Sequence, residues 1–175
     1  LDAGCQKWAE LLNQTGLFDV TVYNNSQLGN VVDVLDRLID GDVIAEAVSA
    51  SDIADPLNIP DLKATMAPFL FDSIDDINTL TQSDWFAALA DQAASQGVKI
   101  VAANLINGER YFITKKPVAE PADMKGMKIR VPNNTNYINT FTAFGCAPTP
   151  MAATEIYTSL QTSVVDGMEH PLPDC

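Results

Sequence analysis

Apolar and polar positions along this chain switch repeatedly between a helical and an alternating period. Between Asp2 and Thr15, the residues Cys5, Trp8, Leu11 and Leu12 recur at helical spacing, which predicts a helix with those side chains inward, ended at Gly16. Phe18-Asp19-Val20-Thr21-Val22-Tyr23 alternates and reads as a strand closed by an Asn-Asn-Ser turn. Val31, Leu35 and Leu38 return to the helical period over Val31 to Ile39, and Asp40-Gly41 is a stop signal. Val43 to Val48 reads as a buried strand, and Pro56, Pro60 and Pro68 mark a loop-rich crossing. A long helical pattern spans Ile74 to Gln96, interrupted near Ser83 and ended by Gly97. Val98 to Ala103 is strand-like again. Strands at Arg110 and Ile129 follow, then a helix through Tyr137, Ile138, Phe141 and Phe144 and another through Ile156, Tyr157 and Leu160.

Helices set between strands predict an α/β fold with a mainly parallel sheet covered on both faces. The 175 residues are enough to bury a core and by default make one domain, and a hydrophobic share of 47% excludes a disordered chain. A net charge of −13 argues against nucleic acid as a partner and against an anionic membrane surface. No apolar run approaches the length of a membrane span, and no signal-peptide pattern opens the chain. Cys5, Cys146 and Cys175 form no CxxC pair and no zinc-ligand spacing, and an odd count cannot complete a disulfide framework. Cys5 and Cys146 therefore read as free buried thiols.

The candidate chemistry lies in the arginines. Arg37 sits off the apolar stripe of its helix, beside Asp33 and Asp36, and reads as a surface charge. Arg110 and Arg130 sit in β-like runs, Glu109 to Thr114 and Lys128 to Val131. An arginine held at a strand end can clamp a carboxylate, because the planar guanidinium offers paired N–H donors to two oxygens. The competing reading is a surface arginine whose stem covers apolar neighbours.

Spaced motifs then occur in one order. They are Ser26-Gln27-Leu28-Gly29, Ala67-Pro68-Phe69-Leu70-Phe71, Gly108-Glu109-Arg110-Tyr111-Phe112-Ile113-Thr114, and Pro121 to Pro132 with Met127-Lys128-Ile129-Arg130-Val131-Pro132 at its end. Pro148-Thr149-Pro150, which reads as a loop, with Met151, then Glu155 to Thr162 and Val165-Asp166-Gly167 complete the series. This order resembles the extracytoplasmic solute-binding subunit (DctP-like) of tripartite ATP-independent periplasmic (TRAP) transporters over nearly the whole chain. The resemblance implies a periplasmic-binding-protein-like, type II-like α/β fold of two lobes with ligand in the cleft between them. Residues 1–107 would belong to lobe one and 108–175 to the first part of lobe two, with the crossing near Asn107-Gly108. Family members are longer: the first strand of lobe one would precede Leu1, and Leu172-Pro173-Asp174-Cys175 shows no natural ending. The chain is thus expected to be a piece of such a protein.

The same resemblance implies a periplasmic receptor that captures an organic acid, a dicarboxylate among the candidates, and hands it to a TRAP-type permease. Secretion, too, is implied only in this way. No cofactor or ATP site is implied, and neither is insertion in the membrane. Arg130 matches the arginine that pairs with the ligand carboxylate, and Arg110 a second arginine that reaches ligand in some members. Packing between strands or pairing with an acid of lobe one is the alternative use of Arg110. Asn133 matches a position that hydrogen-bonds ligand, with capping of the next helix as its alternative. His170 stands where many members carry Asn, and Ala153 where some carry an aromatic. Ser49 and Asn30 fall near lobe-one positions that touch ligand.

Two other readings remain open. A stand-alone or ABC-type receptor satisfies the same motifs. Asp166, Glu169 and His170 lie close in sequence and invite a metal-dependent enzyme, but no HExxH, GxSxG, P-loop or GxGxxG pattern accompanies them. Asp166-Gly167 reads more simply as a strand-end turn.

Overall fold

The structure, a computed structural model, describes residues 2–106 and 108–171. Asn107 of the expected crossing, Cys175 and the rest of the 172–175 terminus lie outside the described residues.

The predicted helices form. They are α1 (Asp2–Gln14), α2 (Val31–Ile39), α3 (Ile74–Thr81), α4 (Asp84–Ser95), α5 (Thr135–Ala143) and α6 (Ile156–Gln161). The interruption at Ser83 is a true boundary, because the Ser83 hydroxyl accepts from the Phe86 N–H and caps α4. In α1 the inward set differs from expectation. Ala9 is buried, whereas Trp8 is 47% and Leu11 51% exposed and Cys5 is half-buried rather than buried. Periodicity defines an apolar stripe but cannot say what, if anything, covers it.

The second half carries a four-stranded sheet in the order β1-β4-β2-β3, with β1 Arg110–Thr114, β2 Lys128–Val131, β3 Ala147–Pro150 and β4 Gly167–Pro171. β2 runs parallel to β3 and β4, and only the edge strand β1 is antiparallel, so the sheet is mainly parallel with one antiparallel edge. Two of these strands correct the sequence reading. The Pro148-Thr149-Pro150 segment is a strand, tolerated because β3 is an edge and its prolines need not donate on the open side. Gly167 begins a central strand, with Asp166 in the bend before it. A Cβ on Gly167 would lie 2.7 Å from the Ile113 carbonyl oxygen, so glycine is what permits β4 to approach β1.

Three other predicted strands do not form ladders among the described residues. Residues 18–23, 43–48 and 98–103 are irregular, although Val20 and Val22, like Ile44, Glu46 and Val48, are half-buried between exposed neighbours. Side-chain alternation is a property of the segment itself, but strand pairing needs a second backbone about 4.8 Å away. These runs carry the first without the second.

Two cores result. One gathers Leu35, Leu57, Leu62, Phe86, Leu89 and their neighbours, all between residues 35 and 98. The other packs Met124, Ile129, Val131 and Cys146 against Phe141 of α5. Phe112, Phe141 and Phe144 stack over it at 5.1–6.1 Å between ring centres.

Candidate functional site

Strand register sorts the site residues onto two faces of the sheet. Arg110 lies opposite Pro171 and Phe112 opposite Glu169, so Arg110, Phe112 and Glu169 share the face that packs on α5. Arg130 lies opposite Met168, which puts Arg130, Met168 and His170 on the other face. The two arginines that the sequence reading grouped therefore leave the sheet from opposite faces, yet their charges lie close enough for Arg110 to act on Arg130.

On the α5 face, Arg110 is fully engaged. Its Nη2 donates to Glu169 Oε2 at 2.8 Å and its Nε to Oε1, a paired geometry, and its guanidinium lies 4.7 Å from the Tyr137 ring centre. Burial works against its charge, but Glu169, Tyr137 and Asp52 outweigh burial, and its pKa is raised. Arg110 thus pairs with an acid, but the acid is Glu169 of β4 and not one from residues 1–107.

Arg130 is different. Its side chain is buried, 3% exposed, at the end of β2. Nε and Nη2 both donate to the Met151 carbonyl, at 3.2 and 2.9 Å, just past β3. This fixes the plane of the guanidinium. Nη1 is buried and finds no hydrogen-bond partner among the described residues. Burial depresses the Arg130 pKa, with Glu169 opposing and Arg110 adding to that shift, but an arginine keeps its charge in a protein. A buried cation with an open N–H is costly unless an anion completes it.

The remaining candidates divide. His170 is half-buried on the Arg130 face of β4. Ser49 Oγ lies 3.1 Å from Ser51 Oγ, beside the contact between the two halves. Asn30 caps α2: its side-chain oxygen accepts from Val32 and Asp33 N–H at 2.9 and 3.3 Å, and Asp33 returns the bond in a capping box. Asn133 is exposed and does not cap α5; that role belongs to Asn134, whose side chain accepts from the Asn136 N–H at 2.9 Å. The alternative of a cap at Asn133 was one residue out, because both positions are Asn and the sequence does not say where the helix starts.

Sequence reasoning missed several groups. Among the described residues the buried polar set is Ser51, Arg130, Asn134 and Glu169, and all four take part in this region. Asn134 Nδ2 donates to Asp52 Oδ1 at 2.6 Å and to Ser51 Oγ at 3.1 Å, joining the halves. Burial raises the Asp52 pKa against the pull of Asn134 and Arg110. Glu46 is pushed up to about 7, by burial first and by Asp52 second. Burial likewise raises Tyr137. No local motif marks these residues; the only available signal was the inward phase of Glu46 in the alternation of 43–48.

The metal reading loses its ligands to other work. Asp166 Oδ2 accepts from the Lys128 N–H at 2.9 Å and Glu169 pairs with Arg110. Among the described residues no group of three or more His, Cys, Asp or Glu is placed to hold a metal, and no helix is long and apolar enough to cross a membrane.

Comparison with known proteins follows the same lines. The chain is 31% identical over 158 residues to the sialic acid-binding periplasmic protein of Vibrio cholerae, covering 90% of this chain and 49% of that protein. It is 31% identical over 170 residues to the C4-dicarboxylate-binding periplasmic protein of Rhodobacter capsulatus, covering 96% and 50%. Among solved structures, a TRAP periplasmic solute-binding protein from Ochrobacterium anthropi with bound L-fuconate superposes with a TM-score of 0.90 at 34% identity, covering 97% of this chain and 56% of that one. The chain thus spans about half the length of the curated relatives it matches. The family model for bacterial extracellular solute-binding proteins of family 7 (DctP) matches residues 2–175, and the chain belongs to that family.

Proposed function

We propose that the protein containing this chain is a periplasmic receptor that binds a small organic acid, with Arg130 holding its carboxylate, and passes it to a TRAP-type permease in the membrane. One observation carries the reading: the Arg130 guanidinium is locked by the Met151 carbonyl, while Nη1 stays buried without a partner among the described residues. A ligand carboxylate would complete that set of donors. The relatives support the ligand class, since their names specify sialic acid, a C4-dicarboxylate and L-fuconate, all of them carboxylates.

In this reading residues 1–107 and 108–175 contribute to two lobes, and the ligand lies between them. His170, on the same sheet face as Arg130, and Ser49, beside the contact between the halves, are the next ligand groups; Asn133 and Asn30 are outer candidates. Arg110 acts indirectly, by holding Glu169. Closing the site around the acid lowers the local dielectric and strengthens its pairing with Arg130. A melting-temperature screen of organic acids on the protein at its native length tests this. An acid that binds the folded state raises the melting temperature, and Arg130→Ala should remove that rise. A rise that survives Arg130→Ala would refute the assignment.

A further inference from the structure

We infer that Asn134 is a positioning residue for acid capture, coupling the turn at Ser49–Asp52 to the strand end that carries Arg130. The inference rests on the binding function proposed above and goes beyond it by assigning a residue that need not touch the ligand.

The geometry is specific to an amide side chain. Its oxygen caps α5 by accepting from the Asn136 N–H at 2.9 Å. Its nitrogen donates to Asp52 Oδ1 at 2.6 Å and to Ser51 Oγ at 3.1 Å. A planar amide supplies an acceptor and two donors on one group; aspartate supplies acceptors alone, and serine has neither the reach nor the second donor. The group is also buried, 6% exposed, so its bonds are not exchanged freely with water.

Two neighbours turn this knot into a coupling. Upstream, Pro132 stiffens the short path from Arg130 to Asn134, and the Asn134 N–H donates to the Pro132 carbonyl at 2.8 Å. A shift of Asn134 therefore displaces the end of β2. Across the interface, Ser51 also contacts Ser49 Oγ at 3.1 Å. The run Ser49–Ser51–Asn134 thus links a candidate ligand group of the first half to the arginine strand of the second. The next residues reinforce it: Asn136 Nδ2 donates to the Lys63 carbonyl at 2.7 Å, and Lys63 pairs with Asp55 at 2.5 Å. Charged groups acting at this point are Asp52, Glu46 and Arg110, with Asp55 and Lys63 on the adjoining segment.

The test uses the protein at its native length with Asn134→Asp and Asn134→Ser. Both variants retain a cap for α5, so neither loses the helix start. Asn134→Asp sets a second carboxylate against Asp52, and the two repel unless they share a proton. L-fuconate and sialic acid serve as probes, since oxygen on the carbon next to each carboxyl keeps it acidic and charged throughout this pH range. Affinities are compared with the parent at each pH, which cancels the titration of Glu46. At about pH 8, Asn134→Asp should bind at least about tenfold more weakly than the parent, recovering most of that loss at about pH 5, where a shared proton restores a donor. Asn134→Ser should lose affinity equally at both. Parent-like binding of Asn134→Asp at pH 8, or a loss that ignores pH, overturns the inference. If the parent binds neither acid, amide exchange in the ligand-free protein decides. Faster exchange of residues 49–55 and 130–136 in Asn134→Asp at pH 8 supports the coupling, and unchanged protection overturns it. Failure of the parent to bind any acid instead counts against the function proposed above, so the two failures are distinguishable.

Discussion

The two faces of the four-stranded sheet hold the same kind of side chain in opposite states. On the α5 face Arg110 is matched, with paired bonds to Glu169 and the Tyr137 ring beside it. On the other face Arg130 is more deeply buried yet incomplete, tied to one carbonyl and with Nη1 unpaired among the described residues. A charge that the protein itself neutralises belongs to the fold. A charge buried and left open is an expense that a ligand can offset, which makes it a better candidate for function.

The largest expected effect on folding tests the matched side. Arg110→Ala strands Glu169, which is 4% exposed, and should destabilise folding by about 2–3 kcal/mol in urea unfolding, since the buried carboxylate loses its partly exposed partner and is left uncompensated. Arg130→Ala should do the reverse. Its folding stability should hold within about 1 kcal/mol or rise, because an unpaired buried charge is lost, while calorimetric affinity for the acid falls by about 2–5 kcal/mol. If the two variants exchange these signatures, the contrast between the faces is wrong. Gly167→Ala should cost about 1–3 kcal/mol by pushing β4 away from Ile113, and with it should loosen both faces together.

A smaller effect comes from Glu46. Its folded-state pKa is raised from 4.5 to about 7, so the folded protein holds a proton that the unfolded chain releases. The resulting stabilisation is present below the unfolded value, declines as pH rises from 4.5 to about 7, and is gone above it. Urea midpoints at acid and alkaline ends of that window should show the decline, and Glu46→Gln should remove this component. The smallest change belongs to Arg37→Ala. Arg37 pairs with Asp42 at 2.8 Å with both side chains about half exposed, and exposed pairs contribute about 0–1 kcal/mol. Neither stability nor affinity should move beyond that range. A larger loss would mean that burial is not what separates the three arginines.

Much of the framework could be read from residues alone. The helices at 31–39 and 74–95 announced themselves by apolar period and by stop or cap residues such as Gly41 and Ser83, because helical hydrogen bonds close within four residues. Arg130 could be singled out as well, from its place on a short apolar strand and from the motif order around it. The strands fared unevenly. β1 and β2 match the expected strands, the prolines of β3 point to a loop, and β4 hides behind an Asp-Gly pair that reads as a turn. Whether a proline sits on an edge, or a glycine in a close approach, depends on strand order.

Alternation at 43–48 and the helical stripe at 135–143 followed from the sequence by itself, since both are set by local backbone geometry and by which side chains avoid water. Register, pairing and charge compensation were decided only by the tertiary structure. Glu169 lies 59 positions from Arg110, and Asp52 lies 82 positions from Asn134. Contacts across such separations arise from how the elements pack. That packing alone separated the satisfied arginine from the open one.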